Sequence, residues 1–383
     1  MRGKGGRAGH SRRQWWVLFL LAVASLAVIF CIAVGLNPIA ETLAPVTGHL
    51  FGLGMSASLA LVVRRRMLSV LVLGLAATVG VHAWMGTDRC CRPPAEATAA
   101  LPAGAIVAAG TRPAAFNVVS VDASRLGAGD VARLGTYLAT SRADVIVLSE
   151  LGVDKPALMD ALRHAYPFQV QCPGEAPCAL AILSRLPLGG AGAAQIASSK
   201  QPFVWAKVKA LHAGSVTIIG THLDGPGRSP GRHQVQMAAL ARFVRRIDGP
   251  IVLAGDLNIS PWSKSFRTLR MMSGLSPAGM LLPSWPAWPL PQVALDNIFV
   301  SPEIAVAAAG TGPAVGPSHL PVWARLEQEP YPLERSRPPR WARSSRLAAA
   351  APHFSAQFLA DLGGEHAGAG DLRGRQALPG RTF

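Results

Sequence analysis

The chain has 383 residues, with 37 Lys+Arg against 21 Asp+Glu for a formal net charge of +16; 50% of residues are hydrophobic and 15% charged. Such a chain is too apolar to be disordered throughout, too interrupted to be wholly membranous and too long for a small disulfide-stapled scaffold. The positive excess alone points to an anionic partner, nucleic acid or lipid headgroups, so its position along the chain decides its meaning.

Residues 1–14 form a basic N-terminus with Arg2, Lys4, Arg7, Arg12 and Arg13. Trp15 to Leu36 carries no charge, and about 20 apolar residues suffice to cross a hydrocarbon core of about 30 Å. Two more uncharged stretches, Leu43 to Val63 and Met67 to Met85, are separated by Arg64, Arg65 and Arg66, so residues 15–87 are expected to hold three transmembrane helices. Gly48, Gly52 and Gly54 leave a re-entrant hairpin as the alternative for the second span. Lys and Arg stay on the cytoplasmic side, which puts the N-terminus inside and everything after Met85 outside the cell (inner) membrane. A cleaved signal peptide is the competing reading of the first span, disfavoured because two more spans follow.

A Pro- and Ala-rich linker, residues 88–114, contains Cys90 and Cys91. Residues 115–327 then change to short β-branched runs separated by amphipathic stretches. Strands are expected at 116–122, 144–150, 179–184, 203–211, 215–222, 251–256, 295–301 and 321–326, and helices at 130–142, 232–246 and 263–272. So many strands with few helices argue for an α/β fold of packed sheets flanked by helices, not one doubly wound sheet. Cys172 and Cys178 bracket a turn-forming Pro-Gly-Glu-Ala-Pro loop and are candidates for a local disulfide; zinc is the alternative, but no His completes a ligand set. Residues 328–383 are rich in Arg, Pro, Ala and Gly and are expected to be a disordered tail. Much of the positive charge therefore lies outside the strand-rich domain, which weakens the nucleic-acid inference.

Several strands finish in a polar residue that an apolar run does not need: Glu150, His222, and Asp256 with Asn258 two positions later. Carboxylates, an amide and an imidazole on one rim suit a hard divalent ion and an anionic oxygen, though a single Glu after a strand is more often a solvated loop residue. His212, His233, His49 and His82 fit packing or local hydrogen bonds, and Trp285 with Trp288 fits a substrate wall or a packed loop.

The series Val147-Leu148-Ser149-Glu150, Ile182-Leu183-Ser184-Arg185-Leu186-Pro187, Gly220-Thr221-His222-Leu223, Gly255-Asp256-Leu257-Asn258 with Pro261-Trp262, Asp296-Asn297-Ile298-Phe299-Val300, and Pro317-Ser318-His319 resembles the endonuclease/exonuclease/phosphatase superfamily of metal-dependent phosphoesterases. The three spans also resemble its membrane-anchored branch that includes teicoplanin-resistance proteins. The resemblance implies a four-layer α/β sandwich, two packed mixed sheets flanked by helices, and hydrolysis of a phosphodiester or phosphomonoester with Mg²⁺ or Mn²⁺. It makes Glu150 a metal-binding carboxylate. Asp256 and Asn258 would orient water and contact the phosphate, His222 would donate to a phosphate oxygen, His319 would act in acid/base or transition-state chemistry, and Asp296 would fix the tautomer of His319.

Two departures stand out. The family usually has Asn where Asp122 ends the first strand, and Ser-Asp-His where this chain has Pro317-Ser318-His319. Ser is a poor ligand for a hard cation, so Asp122 is expected to restore the metal-binding charge lost at Ser318. An impaired, purely binding site is the alternative. Asn297 also stands where a second imidazole is usual. The short linker keeps the domain near the bilayer, which makes a lipid-linked phosphate a candidate substrate. A surface nuclease is the second reading; Lys207, Lys209, Arg228 and Arg232 could serve it, but no dense basic stripe occurs in the domain. No protein partner is expected.

Overall fold

The structure, a computed structural model, describes residues 38–62, 114–152, 155–172, 179–196, 201–210, 214–288 and 292–328, with a few helical positions between 17 and 27. Among the described residues twelve strands build two six-stranded sheets. The first sheet holds β1 (Ala114–Asp122), β2 (Val145–Ser149), β3 (Phe168–Gln171) and β4 (Ala181–Ser184). The second holds β5 (Leu188–Ile196), β6 (Gln201–Ala210), β7 (Gly214–Thr221), β8 (Ile251–Asp256), β9 (Ser276–Pro277) and β10 (Asp296–Val300). The chain then returns to the first sheet as β11 (Ile304–Thr311) and β12 (Val322–Gln328). The orders are β11-β12-β1-β2-β4-β3 and β5-β6-β7-β8-β10-β9.

Period-two alternation along the central strands makes a double-sided core. Val118, Val145 and Val147 of the first sheet meet Val204, Ile218, Val252 and Ile298 of the second between the sheets. The intervening Val119, Val121, Ile146 and Leu148 face outward under α3 (Ala128–Thr140) and α4 (Lys155–Leu162), through Leu134, Leu138, Leu158 and Leu162. On the far side Ile219, Leu253 and Phe299 lie under α5 (Pro230–Arg245) and α6 (Lys264–Ser273), through Met237, Leu240, Phe266 and Leu269. The result is helix, sheet, sheet, helix, the expected four layers.

Each sheet contains one parallel pair at its centre, β1 with β2 and β7 with β8; the other pairings are antiparallel. The parallel pairs put the carboxyl ends of four strands on one rim. Antiparallel pairing of Asp296 with Asp256 and of Val322 with Ser120 brings the start of β10 and the segment before β12 to that rim. This is how residues scattered from 122 to 319 meet.

Four strands lack a counterpart in the sequence reading: β3, β5, β9 and β11. Helix α4 is likewise additional. Among the described residues no helix is long and apolar enough to cross a membrane. The second expected span, Leu43 to Val63, is not one continuous helix: α1 (Pro38–Leu43), a 3₁₀ turn (Ala44–Val46) containing Pro45, and α2 (Thr47–Val62) divide it. The division follows from the local chemistry, because Glu41 and Ala44 are engaged by the strand-rich domain and draw residues 41–46 out of the apolar run. The first span lies outside the described residues except for isolated helical positions, and the third span, the linker up to residue 113 and the tail beyond residue 328 lie outside them entirely.

Candidate active site

Asp122 ends β1 and Asp256 ends β8, and both residues are 3% exposed. Each is locked by the same local device, an Asx-type turn in which the carboxylate accepts a backbone N–H two residues on. Ser124 N–H donates to Asp122 Oδ1 at 3.0 Å, and Asn258 N–H to Asp256 Oδ1 at 2.9 Å. Ser149 Oγ donates to Asp122 Oδ2 at 3.1 Å, tying β2 to β1 at their ends. Asn258 has φ +52° and its Nδ2 donates to Asp256 Oδ2 at 3.0 Å and to the Leu223 carbonyl at 2.9 Å, which joins the loops after β7 and β8.

The glycine of Gly255-Asp256 has a physical cause. Its φ is +146°, and a Cβ there would stand 1.8 Å from the Thr221 carbonyl oxygen, so β7 approaches β8 as only glycine permits.

His222 follows β7 and stands between two carboxylates: Nδ1 lies 2.9 Å from Glu150 Oε1 and Nε2 lies 3.5 Å from Asp256 Oδ2. Burial alone would favour the neutral ring, but hydrogen bonds and charge from Asp256 and Glu150 outweigh it and raise the His222 pKa to about 11. The same hydrogen bond holds the carboxyl of Glu150 below its usual range. Glu150 has φ +53° and a side chain 44% exposed. Burial pushes Asp122 up, with Asp256 adding to the rise and His319 and Ser124 opposing it.

Asp296 and His319 form a second, buried pair with Nδ1 donating to Oδ2 at 2.6 Å. Burial opposes charge on this ring too, yet Asp296, with help from Asp256 and Asp122, raises the His319 pKa to about 9. Ser318, beside it, shares a 2.8 Å hydrogen bond with Ser124 Oγ. Both amide protons of Asn297 are engaged in structure: Nδ2 donates to the carbonyls of Ile259 (3.0 Å) and Leu295 (2.8 Å), bracing the loop after β8.

Ligand atoms of Asp122, His222 and Asp256 all lie within 4.8 Å of one another. Two buried carboxylates this close, one of them pushed up by burial and to a lesser degree by the other, form a donor set that a hard divalent cation would relieve. His222, ion-paired on both nitrogens, fits a cationic hydrogen-bond donor better than a metal ligand, and Glu150 reaches the cluster through it. Asp122, Glu150, His222, Asp256, Asn258, Asp296 and His319 are thus all on one rim. Ser124, Ser149 and the bracing role of Asn297 are not evident from the sequence; Asp-Ala-Ser at 122–124 is the one local signal, an Asx turn matching Asp-Leu-Asn at 256–258.

The other sequence candidates separate. Trp285 (43% exposed) and Trp288 (75%) sit on a loop stapled to the His319 segment by Ala287 N–H to Ser318 carbonyl and Leu320 N–H to Ser284 carbonyl, each 2.8 Å. His233 is buried, with Nδ1 2.7 Å from the Asp224 carbonyl, a local hydrogen bond. Cys172 is disulfide-bonded, while Cys178 lies outside the described residues. Lys207 and Lys209 pair with Thr217 and Ser215, at the end of β6 and β7 away from the rim.

The sequence pattern of the Endonuclease/Exonuclease/phosphatase family matches residues 119–345. The chain belongs to that family. Its members are metal-dependent phosphoester hydrolases, and the two packed mixed sheets with helices match the family fold. Comparison with curated proteins returns no match. Solved structures similar to this chain include an endonuclease/exonuclease/phosphatase from Beutenbergia cavernae (20% identity, 57% of this chain and 72% of that one, TM-score 0.47). Another, from Bacteroides vulgatus, has 17% identity, 56% and 99% coverage and TM-score 0.48. Sphingomyelinase C from Streptomyces griseocarneus has 17% identity, 55% and 99% coverage and TM-score 0.43.

Proposed function

We propose that the protein is a membrane-anchored, extracytoplasmic phosphoesterase of this family that uses Mg²⁺ or Mn²⁺. The observation that carries the reading is the convergence of Asp122, Asp256 and His222 within 4.8 Å, with His319 near enough for both carboxylates to raise its pKa. Asp122 and Asp256 would hold the cation, with Glu150 beside them. A bound divalent ion supplies neutralisation of phosphate oxygen charge. The chain's own groups supply the rest: His222 donates to a phosphate oxygen, and Asn258 contacts the phosphate and holds the loop. With Nδ1–H committed to Asp296, Nε2 of His319 is the nitrogen left to give or take a proton. Asp122 takes over the charge that the family usually carries where Ser318 stands.

The proposed organisation is a cytoplasmic N-terminus (1–14), a membrane region (15–87), a linker (88–114), the catalytic domain (115–327) and a tail (328–383), placing the chain with the membrane-anchored branch that includes teicoplanin-resistance proteins. The proposed substrate is a phosphate ester or pyrophosphate carried on a lipid. The short linker supports this by keeping the domain near the bilayer, and the indoles of Trp285 and Trp288 offer an apolar flank beside the His319 segment.

A nuclease of the same chemistry is the second reading. It loses support because Lys209 pairs with Ser215, six residues or about 20 Å along β7 from the rim, and because Arg232 is paired with Asp224, which leaves Arg228, whose charge reaches Glu150, as the basic candidate at the rim. The test is incubation of the full chain in detergent with Mn²⁺ and DNA, phospholipid or polyprenyl-phosphate substrates. Release of phosphate or alcohol from the lipid-borne esters is expected. Cleavage of DNA alone would overturn the substrate assignment, and no cleavage of any would favour a binding module.

A further inference from the structure

Glu41 is the single acidic residue between Met1 and Thr87. It reaches across the molecule to the start of α6: Oε2 accepts the backbone N–H of Lys264 at 3.0 Å and Oε1 that of Ser265 at 2.5 Å. These two donors open the helix and have no partner inside it, and the positive end of a helix favours a carboxylate. The third donor is met locally, Phe266 N–H to Ser263 Oγ at 3.0 Å.

Apolar contacts continue the attachment. Ala44 is fully buried with Leu43 and Trp262 against it, and a Cβ at Gly48 would lie 3.3 Å from the Trp262 ring. Thr42 lies so close to Gly227 that a Cβ there would stand 2.9 Å from Thr42 Cγ2. Residues 41–48 therefore touch the loop after His222 and the loop after Asp256, the two loops that Asn258 joins through the Leu223 carbonyl.

We propose that Glu41 is a positioning residue that clamps the apolar N-terminal segment onto the loops carrying His222 and Asn258, making this segment one wall of the site. The effect on turnover rests on the phosphoesterase reading; the clamp itself does not. A fragment beginning at residue 114 lacks this wall.

The test uses the full chain in detergent micelles with Glu41→Ala, Glu41→Gln and Glu41→Asp. Amide hydrogen exchange reads the clamp, and hydrolysis of bis(4-nitrophenyl) phosphate with Mn²⁺ reads the positioning. In Glu41→Ala, exchange at Lys264 and Ser265 should rise about tenfold or more and spread to residues 223–229, because the opening donors lose their acceptor. Glu41→Asp should restore part of the protection. kcat should fall about fivefold with KM within about twofold, as expected for misplacement of groups that act in the transition state. Unchanged exchange at Lys264 and Ser265 overturns the clamp. Raised exchange with unchanged kcat overturns the positioning role, as does raised exchange throughout β2 and β8, which would mark a general loss of folding. Inactivity of the unaltered chain would refute the phosphoesterase reading, and exchange at Lys264, Ser265 and residues 223–229 would then decide the clamp by itself.

Discussion

Asp296→Asn, close to isosteric, is the sharpest single perturbation because it removes a charge and little else. The His319 pKa stands at about 9 against an ordinary 6.5, a preference for the imidazolium worth roughly 3 kcal/mol. Burial works against that charge, and Asp296 is the largest of the groups that overcome it. The carbonyl of the introduced amide can still accept the Nδ1–H now 2.6 Å from Asp296 Oδ2, so ring orientation is kept while the charge is lost. His319 in the metal-free variant should titrate at least about 1.5 pH units lower. The sign for stability follows: a raised pKa contributes stability that is fully present below pH 6.5 and lost as pH rises through about 9. Asp296→Asn should remove most of that alkaline decline. Imidazole carbon and nitrogen shifts in labelled, EDTA-treated protein, with His319→Ala to assign the resonance, read the pKa directly. A fall in activity of about 10- to 100-fold should accompany it. A His319 pKa within about 0.3 of the original would show that the charge of Asp296 is not what sustains the imidazolium.

Other expectations can be checked alongside. Asp122→Ala should weaken Mn²⁺ binding by calorimetry about tenfold or more, since one of two clustered carboxylates is removed; unchanged affinity would end the idea that Asp122 compensates for Ser318. Ser318→Asp should break the pair with Ser124 Oγ and raise turnover by less than about threefold; a much larger gain would mark the natural site as impaired. In metal-free protein His222 should show no titration by NMR between pH 5 and 9, because its pKa of about 11 keeps it charged there, and Glu150→Gln should lower that pKa. Gly255→Ala should cost more than about 3 kcal/mol in a denaturant titration, given a Cβ 1.8 Å from the Thr221 carbonyl and φ +146°.

The central strands were legible because β-branched runs such as Val145–Ser149 and Ile251–Asp256 are buried on both faces and end in polar residues that solvent-facing loops do not require. The missing edge strands have no such signal. β5 reads Leu-Gly-Gly-Ala-Gly-Ala-Ala-Gln-Ile and β11 Ile-Ala-Val-Ala-Ala-Ala-Gly-Thr, both poor in residues of high strand propensity. Their neighbours supply what they lack: Trp205 lies across from Gly192 and Trp323 across from Gly310, each indole filling the space a side chain would occupy. That compensation is visible only once the register is known. At the rim, Asp122, Glu150, His222, Asp256, Asn258, Asp296 and His319 were legible one by one from strand ends and family resemblance. Their pairing was only partly so: the hold of Asp296 on His319 was expected, whereas the bridging of Glu150 and Asp256 by His222 depends on two sheets meeting. Glu41 was illegible for the same reason, as its partners lie more than 220 residues away.

Turnover of a phosphodiester by the full chain with Mn²⁺, compared with His319→Ala and with EDTA, decides whether the clustered carboxylates and imidazoles form a metal-assisted phosphoester-hydrolysing site. Hydrolysis that requires the metal and falls at least about a hundredfold in His319→Ala is the predicted result. Hydrolysis that persists in the variant, or is indifferent to EDTA, would mean that these residues are not a metal-assisted hydrolytic site.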